Sequence, residues 1–254
     1  MNKEKIIKDC YSLLSAYKTG LLGQTVMPEE CNPGLDKMER EERIAYFTLP
    51  MALNYQRDSY KLWESVLKTY NDKDAKKIFD IATSANMDDT ELRSHLLKYK
   101  IALQPNKHIA TWKRIATTIT ENWGTLSALL EASNRDYLQL KQIVQQDHKK
   151  GFPYLSGPKI FNYWCFILRR YCGVQMKNAE FIEIAPDTHV TKCSVILGLI
   201  SPEEADVMSK DQISARWRTA LQGSGINPID MHTPLWFWSK NNFKFKLPFP
   251  SLRT

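Results

Sequence analysis

The sequence predicts an all-α protein, and three observations support that prediction. Apolar residues recur at the three-to-four-residue spacing of amphipathic helices, strand-like alternation is nearly absent, and capping residues precede several apolar stretches. No internal repeat or low-complexity linker interrupts this pattern. We expect about ten to twelve helices, arranged in two lobes with a cleft between them.

The first half of the chain contains four amphipathic stretches. The first begins near Ile6 and ends near Gly20, and a turn-rich stretch through Asn32-Pro33-Gly34 follows it. The other three are marked by Leu62, Val66 and Tyr70; by Leu92 and Leu96 behind a cap at Asp88 or Asp89; and by Ile109, Trp112, Ile115, Ala116 and Ile119.

The second half continues the helical pattern. A helix is expected from about residue 135 to 146, and residues 159–171 are apolar nearly all round, which predicts a helix buried at the centre of the fold. Residues 201–204 read Ser-Pro-Glu-Glu, a capping box with proline at the first helical position. A Gly-Ser-Gly at 223–225 ends one helix, and Asn-Pro at 227–228 opens the last.

The composition indicates an ordinary globular chain with a basic excess. Hydrophobic residues make up 43% and charged residues 25%, and the formal net charge is +7. Between residues 149 and 192 there are seven basic residues against three acidic ones, and no acid follows Asp230. Such a distribution suits a polyanionic partner, because phosphate contacts need clustered cations.

Cysteine usage and hydropathy argue against secreted and membrane classes. The five cysteines form no Cys-x-x-Cys pair, and Cys165 and Cys172 lie in an apolar run, where buried unreactive thiols are usual. The longest apolar run, residues 163–168, stops at Arg169 and is too short to span a bilayer. The first residues lead into an amphipathic helix and not a signal peptide. We therefore expect a reduced, intracellular protein with no membrane partner.

Two short motifs, 28 positions apart (187 − 159), carry the candidate chemistry. Gly157-Pro158-Lys159 is a turn whose lysine opens an apolar helix, and Asp187-Thr188-His189-Val190 stands before another helix. A neutral lysine amine can capture the C1′ carbon of a nucleoside, and a carboxylate can stabilise the positive charge that develops there. Lys159 and Asp187 are candidates for these two roles because together they resemble the catalytic pair of a known enzyme family. Taken singly, a turn lysine is usually solvated and an aspartate in this position usually caps a helix.

This conjunction resembles the catalytic elements of the helix-hairpin-helix DNA glycosylases, which excise damaged bases. Leu53–Asp58 followed by Leu62-Trp63 is similar to the segment where endonuclease-III-like enzymes carry Leu-Ser-x-Gln-x-x-Asp. Asp230–Trp236 is similar to the Asp-x-His-x-x-Leu element that closes the glycosylase domain. The resemblance covers roughly residues 45 to 240 and is closest to the archaeal 8-oxoguanine DNA glycosylases.

The resemblance implies a two-lobed helical fold of the HhH-GPD type with its active site in the cleft between the lobes. One lobe is expected at about 60–155, with the hairpin and catalytic segment at 156–200, and the other at about 1–59 plus 201–254. The implied activity is that of a DNA glycosylase and AP lyase that forms a Schiff base with Lys159, assisted by Asp187. The implied partner is duplex DNA with a flipped damaged base, above all 8-oxoguanine, and the protein is expected to be a monomer.

Further site residues follow from the resemblance and from the distribution of charge. The base pocket, and the plug that fills the gap left by the flipped base, are expected at Gln56, Asn54, Trp63, Asp230 and Trp236; Phe161 and Trp164 are further stacking candidates. DNA contacts are expected at Ser156, Gly157, Lys107, Lys113, Lys149, Lys150, His189 and Lys192. The simpler alternatives are core packing for the tryptophans and solvation for the lysines.

Three departures from the family pattern stand out. The family hairpin reads Leu-Pro-Gly-x-Gly-x-Lys, whereas only its second glycine, Gly157, remains here. The interval from Lys159 to Asp187 is also longer than in endonuclease III. No cysteine follows Cys193, so the iron–sulfur cluster of endonuclease III is not expected, and we predict no metal or other cofactor.

Two alternative functions stay open. A nucleosidase for a modified nucleoside on the same fold would need Asp187 but neither Lys159 nor a wide basic groove. A non-catalytic helical nucleic-acid-binding protein would need neither residue, and its duplex binding would still weaken with salt.

Overall fold

The computed structural model describes residues 2–23, 26–30, 34, 37–54 and 57–248. Over these residues the protein contains thirteen α-helices and no strand, apart from one isolated bridge between Asp136 and Lys177. The prediction of an all-α protein is confirmed.

The helices follow one another with short connections. They are α1 (Lys3–Lys18), α2 (Arg40–Leu53), α3 (Ser59–Asn71), α4 (Ile81–Asn86), α5 (Asp89–Lys98), α6 (Pro105–Asn122), α7 (Leu126–Ala132), α8 (Tyr137–Gln142), α9 (Pro158–Tyr171), α10 (Thr188–Ile196), α11 (Pro202–Val207), α12 (Lys210–Leu221) and α13 (His232–Lys240). Short 3-10 turns lie at Pro28–Glu30, Ala75–Phe79, Lys149–Gly151, Ala179–Phe181 and Pro228–Met231, and a π turn at Ile143–Asp147 continues α8.

The chain forms two compact units. The terminal unit comprises Met1–Val26 with Glu180–Thr254, and the central unit comprises Met27–Ala179. The central unit therefore contains α2 to α9, and the terminal unit contains α1 and α10 to α13. By this division residues 27–59 group with the central unit and residues 180–200 with the terminal unit.

The core of the central unit forms where α6 packs on α4 and α9 packs on α2. The predicted stripe of α6, from Ile109 to Ile119, is buried throughout. Trp164 of α9 is fully buried, and its indole nitrogen donates to the hydroxyl of Thr48 at 2.9 Å. Burying side chains of this size stabilises the unit by roughly 2–3 kcal/mol each, and the hydrogen bond keeps the indole N–H satisfied.

The core of the terminal unit forms where α10 packs on α13 and α1 packs on α12 and α13. The Trp217 indole donates to the Ser194 hydroxyl at 2.9 Å, and the Cys193 thiol donates to the Leu235 carbonyl at 3.2 Å. These contacts hold α10, whose N-cap is Asp187, against α12 and α13.

Several capping predictions are confirmed. The Asp88 carboxylate accepts from the backbone N–H groups of Thr90 and Glu91 at 2.8 and 3.0 Å, so Asp88 is the cap of α5. Ser201 and Glu204 form the expected capping box at the start of α11. These bonds satisfy first-turn N–H groups that have no partner inside a helix.

The prediction that α9 is buried all round is only partly correct. Phe161, Trp164 and Leu168 are buried, but Tyr163 and Phe166 are half-buried and Arg170 is exposed. Tyr163 has a polar partner on this side, since its hydroxyl donates to the buried Glu29 carboxylate at 2.5 Å. The apolar composition of α9 did not reveal that one side of the helix is partly exposed, because tyrosine and phenylalanine occur in both half-buried and buried positions.

Candidate catalytic residues and their surroundings

The turn before α9 comprises residues 152–157. Gly157 is the N-cap of α9 at φ −64° and ψ 137°, and Pro158 takes the first helical position, where its missing N–H costs nothing. The backbone N–H of Ser156 donates to the Phe152 carbonyl, and that of Gly157 donates to the Tyr154 carbonyl, both at 2.9 Å. The turn therefore already uses the backbone N–H groups of Ser156 and Gly157, two residues that are expected to contact DNA.

Three buried polar side chains fix this turn. Gln145 donates from its amide to the Ser156 carbonyl at 3.0 Å, and Asn162 donates to the Pro158 carbonyl at 2.8 Å. The hydroxyl of Tyr137 in turn donates to the Asn162 side-chain oxygen at 2.8 Å. The first turn of α9 is thus held from both sides by α8 and its π continuation.

Lys159 is the second residue of α9 and is exposed. Its ammonium makes no hydrogen bond or ion pair with any residue that the structure describes. The backbone beneath Lys159 is therefore fixed, while the side chain extends into solvent.

Asp187 is the N-cap of α10, as its position in the sequence predicts. One carboxylate oxygen, Oδ1, accepts from the Val190 N–H at 2.9 Å, and its backbone carbonyl accepts from the Thr191 hydroxyl at 2.7 Å. Oδ2 has no hydrogen-bond donor among the described residues, and the side chain is partly exposed. Burial, followed by the charge of Asp187, raises the pKa of the Cys193 thiol.

His189 lies in the first turn of α10 and contacts the end of α13. Its Nδ1 lies 3.0 Å from the Ser239 hydroxyl oxygen, and its ring meets Trp236 edge to face at a centroid distance of 5.4 Å. The Lys240 ammonium lies 4.5 Å from the centroid of the Trp236 ring. The terminal unit therefore brings Trp236 and Lys240 into one cluster with His189, which lies two residues after Asp187 in the sequence.

The two candidate catalytic residues belong to different units. Lys159 is part of the central unit and Asp187 is part of the terminal unit. Their convergence on one cavity stays a prediction.

Three aromatic stacking candidates are core residues. Trp63 is 2% exposed and packs against Tyr46 and Phe47 at centroid distances of 6.0 and 5.4 Å. Phe161 and Trp164 are fully buried and lie 6.1 Å apart. None of the three has a free ring face on which a base could stack, so core packing accounts for them. Trp236, which is half-buried, stays a pocket candidate.

The plug segment is only partly described. Gln56 lies outside the described residues, and Asn54 is the half-buried C-cap of α2. Arg57, which the sequence did not single out, donates to the carbonyls of Lys100 and Ile101 at 3.0 and 2.5 Å. Arg57 therefore ties the chain around the predicted plug to the loop after α5. Its position directly after Gln56 is the one feature of the sequence that could have drawn attention to it.

The remaining candidates fall into two groups. Asp230 is half-buried in the last 3-10 turn and accepts from the Asn227 amide at 3.0 Å. Among the lysines, Lys113 donates to the Met87 carbonyl and is half-buried, so it is not a freely available cation. The exposed candidates are Lys107, Lys149, Lys150 and Lys192.

None of the described helices is long and apolar enough to cross a membrane. Within the same described ranges, no three His, Cys, Asp or Glu side chains gather as a metal ion would require. Comparison of the chain with models of known protein families gives no match, and comparison with curated proteins gives none either.

Proposed function

We propose that this protein is a DNA glycosylase with AP-lyase activity on a helix-hairpin-helix glycosylase fold. Its substrate is duplex DNA from which a damaged base has been flipped, with 8-oxoguanine as the favoured lesion. The proposal rests on the two motifs at Lys159 and Asp187, and the helical architecture and basic charge are consistent with it.

One observation supports the proposal most. Each candidate group sits at the start of a helix whose backbone is held by other bonds, and each keeps its reactive atom unpaired among the described residues. These atoms are Nζ of Lys159 and Oδ2 of Asp187. A group that must meet a sugar needs both a fixed anchor and an unoccupied reactive atom.

The proposed chemistry uses both atoms. The neutral Lys159 amine attacks C1′ as the glycosidic bond breaks, and the base leaves with its bonding electrons and takes up a proton. The negative charge of Asp187 stabilises the positive charge developing on the sugar and helps to move the amine's proton. The C1′–O4′ bond then breaks as the sugar ring opens: O4′ takes up a proton, and the nitrogen lone pair forms the C=N bond of a protonated Schiff base at C1′. Loss of a proton from C2′ then allows the 3′ phosphate to leave by β-elimination.

Borohydride trapping tests this proposal. Incubation with duplexes carrying 8-oxoguanine or an abasic site should give a covalent enzyme–DNA adduct, because borohydride reduces the Schiff base to a stable amine. Lys159→Ala should abolish the adduct, whereas the control Lys73→Ala, at an exposed lysine of the same unit, should leave it unchanged.

Two results would contradict the proposal. The first is the absence of an adduct from the wild-type protein on every lesion duplex. The second is base release that survives Lys159→Ala undiminished, which would indicate the nucleosidase alternative.

A further inference from the structure

The chain reverses direction directly after α13. The backbone N–H of Asn242 donates to the Ser239 carbonyl at 3.0 Å, and that of Phe243 donates to the Trp238 carbonyl at 2.9 Å. Asn242 and Phe243 adopt left-handed backbone conformations, with φ of 54° and 55°. Such a conformation is unfavourable for phenylalanine, so surrounding contacts must hold the turn in place.

Three contacts hold the segment that follows the turn. The Phe243 ring meets Trp238 edge to face at 5.0 Å, and the Trp238 indole donates to the Phe245 carbonyl at 2.8 Å. The Asn241 amide donates to the Leu22 carbonyl at 2.5 Å. Residues 240–248, called the tail segment here, therefore fold back onto α13 and contact Leu22 in the stretch that follows α1.

Exposure alternates along the tail segment. Asn242, Lys244 and Lys246 are exposed, whereas Phe243 and Phe245 between them are half-buried. No Asp or Glu occurs anywhere from residue 231 to residue 254. The anchored aromatic residues thus present two lysines with no acidic residue next to them in the sequence.

The tail segment is also joined to the pocket candidates. Its first residue, Lys240, lies over the ring of Trp236, which contacts His189 in the first turn of α10. A polyanion that approaches this part of the terminal unit would meet Lys240, Lys244 and Lys246 in succession.

We infer that the tail segment is a phosphate-contact surface for DNA, with Lys244 and Lys246 binding backbone phosphates of the duplex. This inference rests on the proposed function for the identity of the polyanion. Because hydrogen bonds and an aromatic contact already hold the segment, binding loses less conformational entropy than it would with an unanchored basic tail. The contacts carry no base specificity, since lysines bind phosphates as point charges.

The test compares two double variants of equal charge. Lys244→Gln/Lys246→Gln removes the proposed contacts, and the control Lys3→Gln/Lys73→Gln removes two exposed lysines far from them in the sequence. Affinity for a short undamaged duplex is measured by fluorescence anisotropy between about 50 and 200 mM salt. The slope of log K against log salt should become shallower by about one per lysine in the tail variant, and about two in total.

The control variant should keep the wild-type slope. Both variants should stay folded because all four lysines are exposed, and the one bond lost is that from the Lys246 ammonium to the Phe243 carbonyl at 3.3 Å. A slope unchanged in the tail variant, or lowered equally in the control, would overturn the inference. A larger loss of binding to anionic phospholipid vesicles than to duplex would also overturn it, in favour of a membrane surface.

The same proteins separate this inference from the proposed function. If borohydride traps a wild-type adduct while the tail variant keeps its slope, the tail inference fails and the glycosylase proposal stands. If no adduct forms but the slope falls as expected, the glycosylase proposal fails and the tail segment is a DNA-binding surface of a non-catalytic protein.

Discussion

Asn162 donates a hydrogen bond from its side-chain amide to the Pro158 carbonyl, 2.8 Å away and one residue before Lys159. Asn162 is 5% exposed and lies one helical turn after Pro158. Its oxygen accepts from Tyr137, so the amide cannot rotate away without breaking a second bond. On the proposed function, this relationship makes Asn162 a positioning residue for Lys159.

Replacing Asn162 should therefore slow Schiff-base formation. Asn162→Leu keeps the approximate side-chain volume but removes both hydrogen bonds, and the rate of borohydride-trapped adduct formation should fall between about tenfold and a hundredfold. The control Tyr137→Phe removes one bond and leaves Asn162 with Pro158, so its rate should stay near wild type. Equal rates for the two variants would rule out a positioning role.

Asp187 caps α10, and the proposed function gives it a second, electrostatic role that can be tested separately. Asp187→Asn retains an oxygen that can cap α10, so the free energy of unfolding should change by less than about 0.5 kcal/mol. It removes the negative charge, so single-turnover base release should fall by about a hundredfold or more. Asp187→Ala should lose the same activity and about 1 kcal/mol of stability as well. An Asp187→Asn protein as active as wild type would limit Asp187 to capping.

Glu29 should make stability depend on pH. Burial raises its pKa from the ordinary 4.5 to about 7, although the hydrogen bond from Tyr163 opposes the rise. Between these two pH values the folded state holds a proton that the unfolded chain releases. The protonated Glu29 side chain therefore contributes to the free energy of unfolding below about pH 4.5, and this contribution is lost as the pH rises through about 7. The loss should be about 3 kcal/mol, measured by urea denaturation. Glu29→Gln should abolish this dependence; the same pH profile in both proteins would contradict it.

Thr48 tests whether Trp164 is a core residue. The Thr48 hydroxyl accepts from the Trp164 indole at 2.9 Å, and both residues are fully buried. Thr48→Val leaves a buried N–H without a partner and should lower the free energy of unfolding by about 1–3 kcal/mol. The matched control, Thr219→Val on the exposed face of α12, should cost under about 0.5 kcal/mol. Similar small losses at both positions would show that Trp164 can turn out of the core.

The sequence predicted those parts of the fold that depend on local spacing. The stripe of α6, the cap at Asp88 and the capping box at Ser201 all follow from residues within a few positions of one another. Local hydrogen bonds and helical periodicity are encoded in adjacent residues, so one sequence suffices to read them.

Long-range polar contacts could not be predicted in this way. Glu29 and Tyr163 are 134 residues apart, and nothing in either neighbourhood indicates that they pair. The same limitation affected the site: Trp63 has the residue type of a stacking platform, but its environment is the core. Asn162 was also missed, although a lone amide on an apolar helix usually has a specific buried partner.

The π turn at Ile143–Asp147 carries one more residue than a regular α-helical turn would. That extra residue sets the register between α8 and Gln145, whose amide braces the Ser156 carbonyl. Deleting a single residue here would restore regular helix but rotate the side chains that follow within this helix by about 100°. An insertion or deletion in the π turn would therefore move Gln145 away from the Ser156 carbonyl. Surface loops tolerate such changes, but here the turn that positions Lys159 would lose one of its hydrogen bonds.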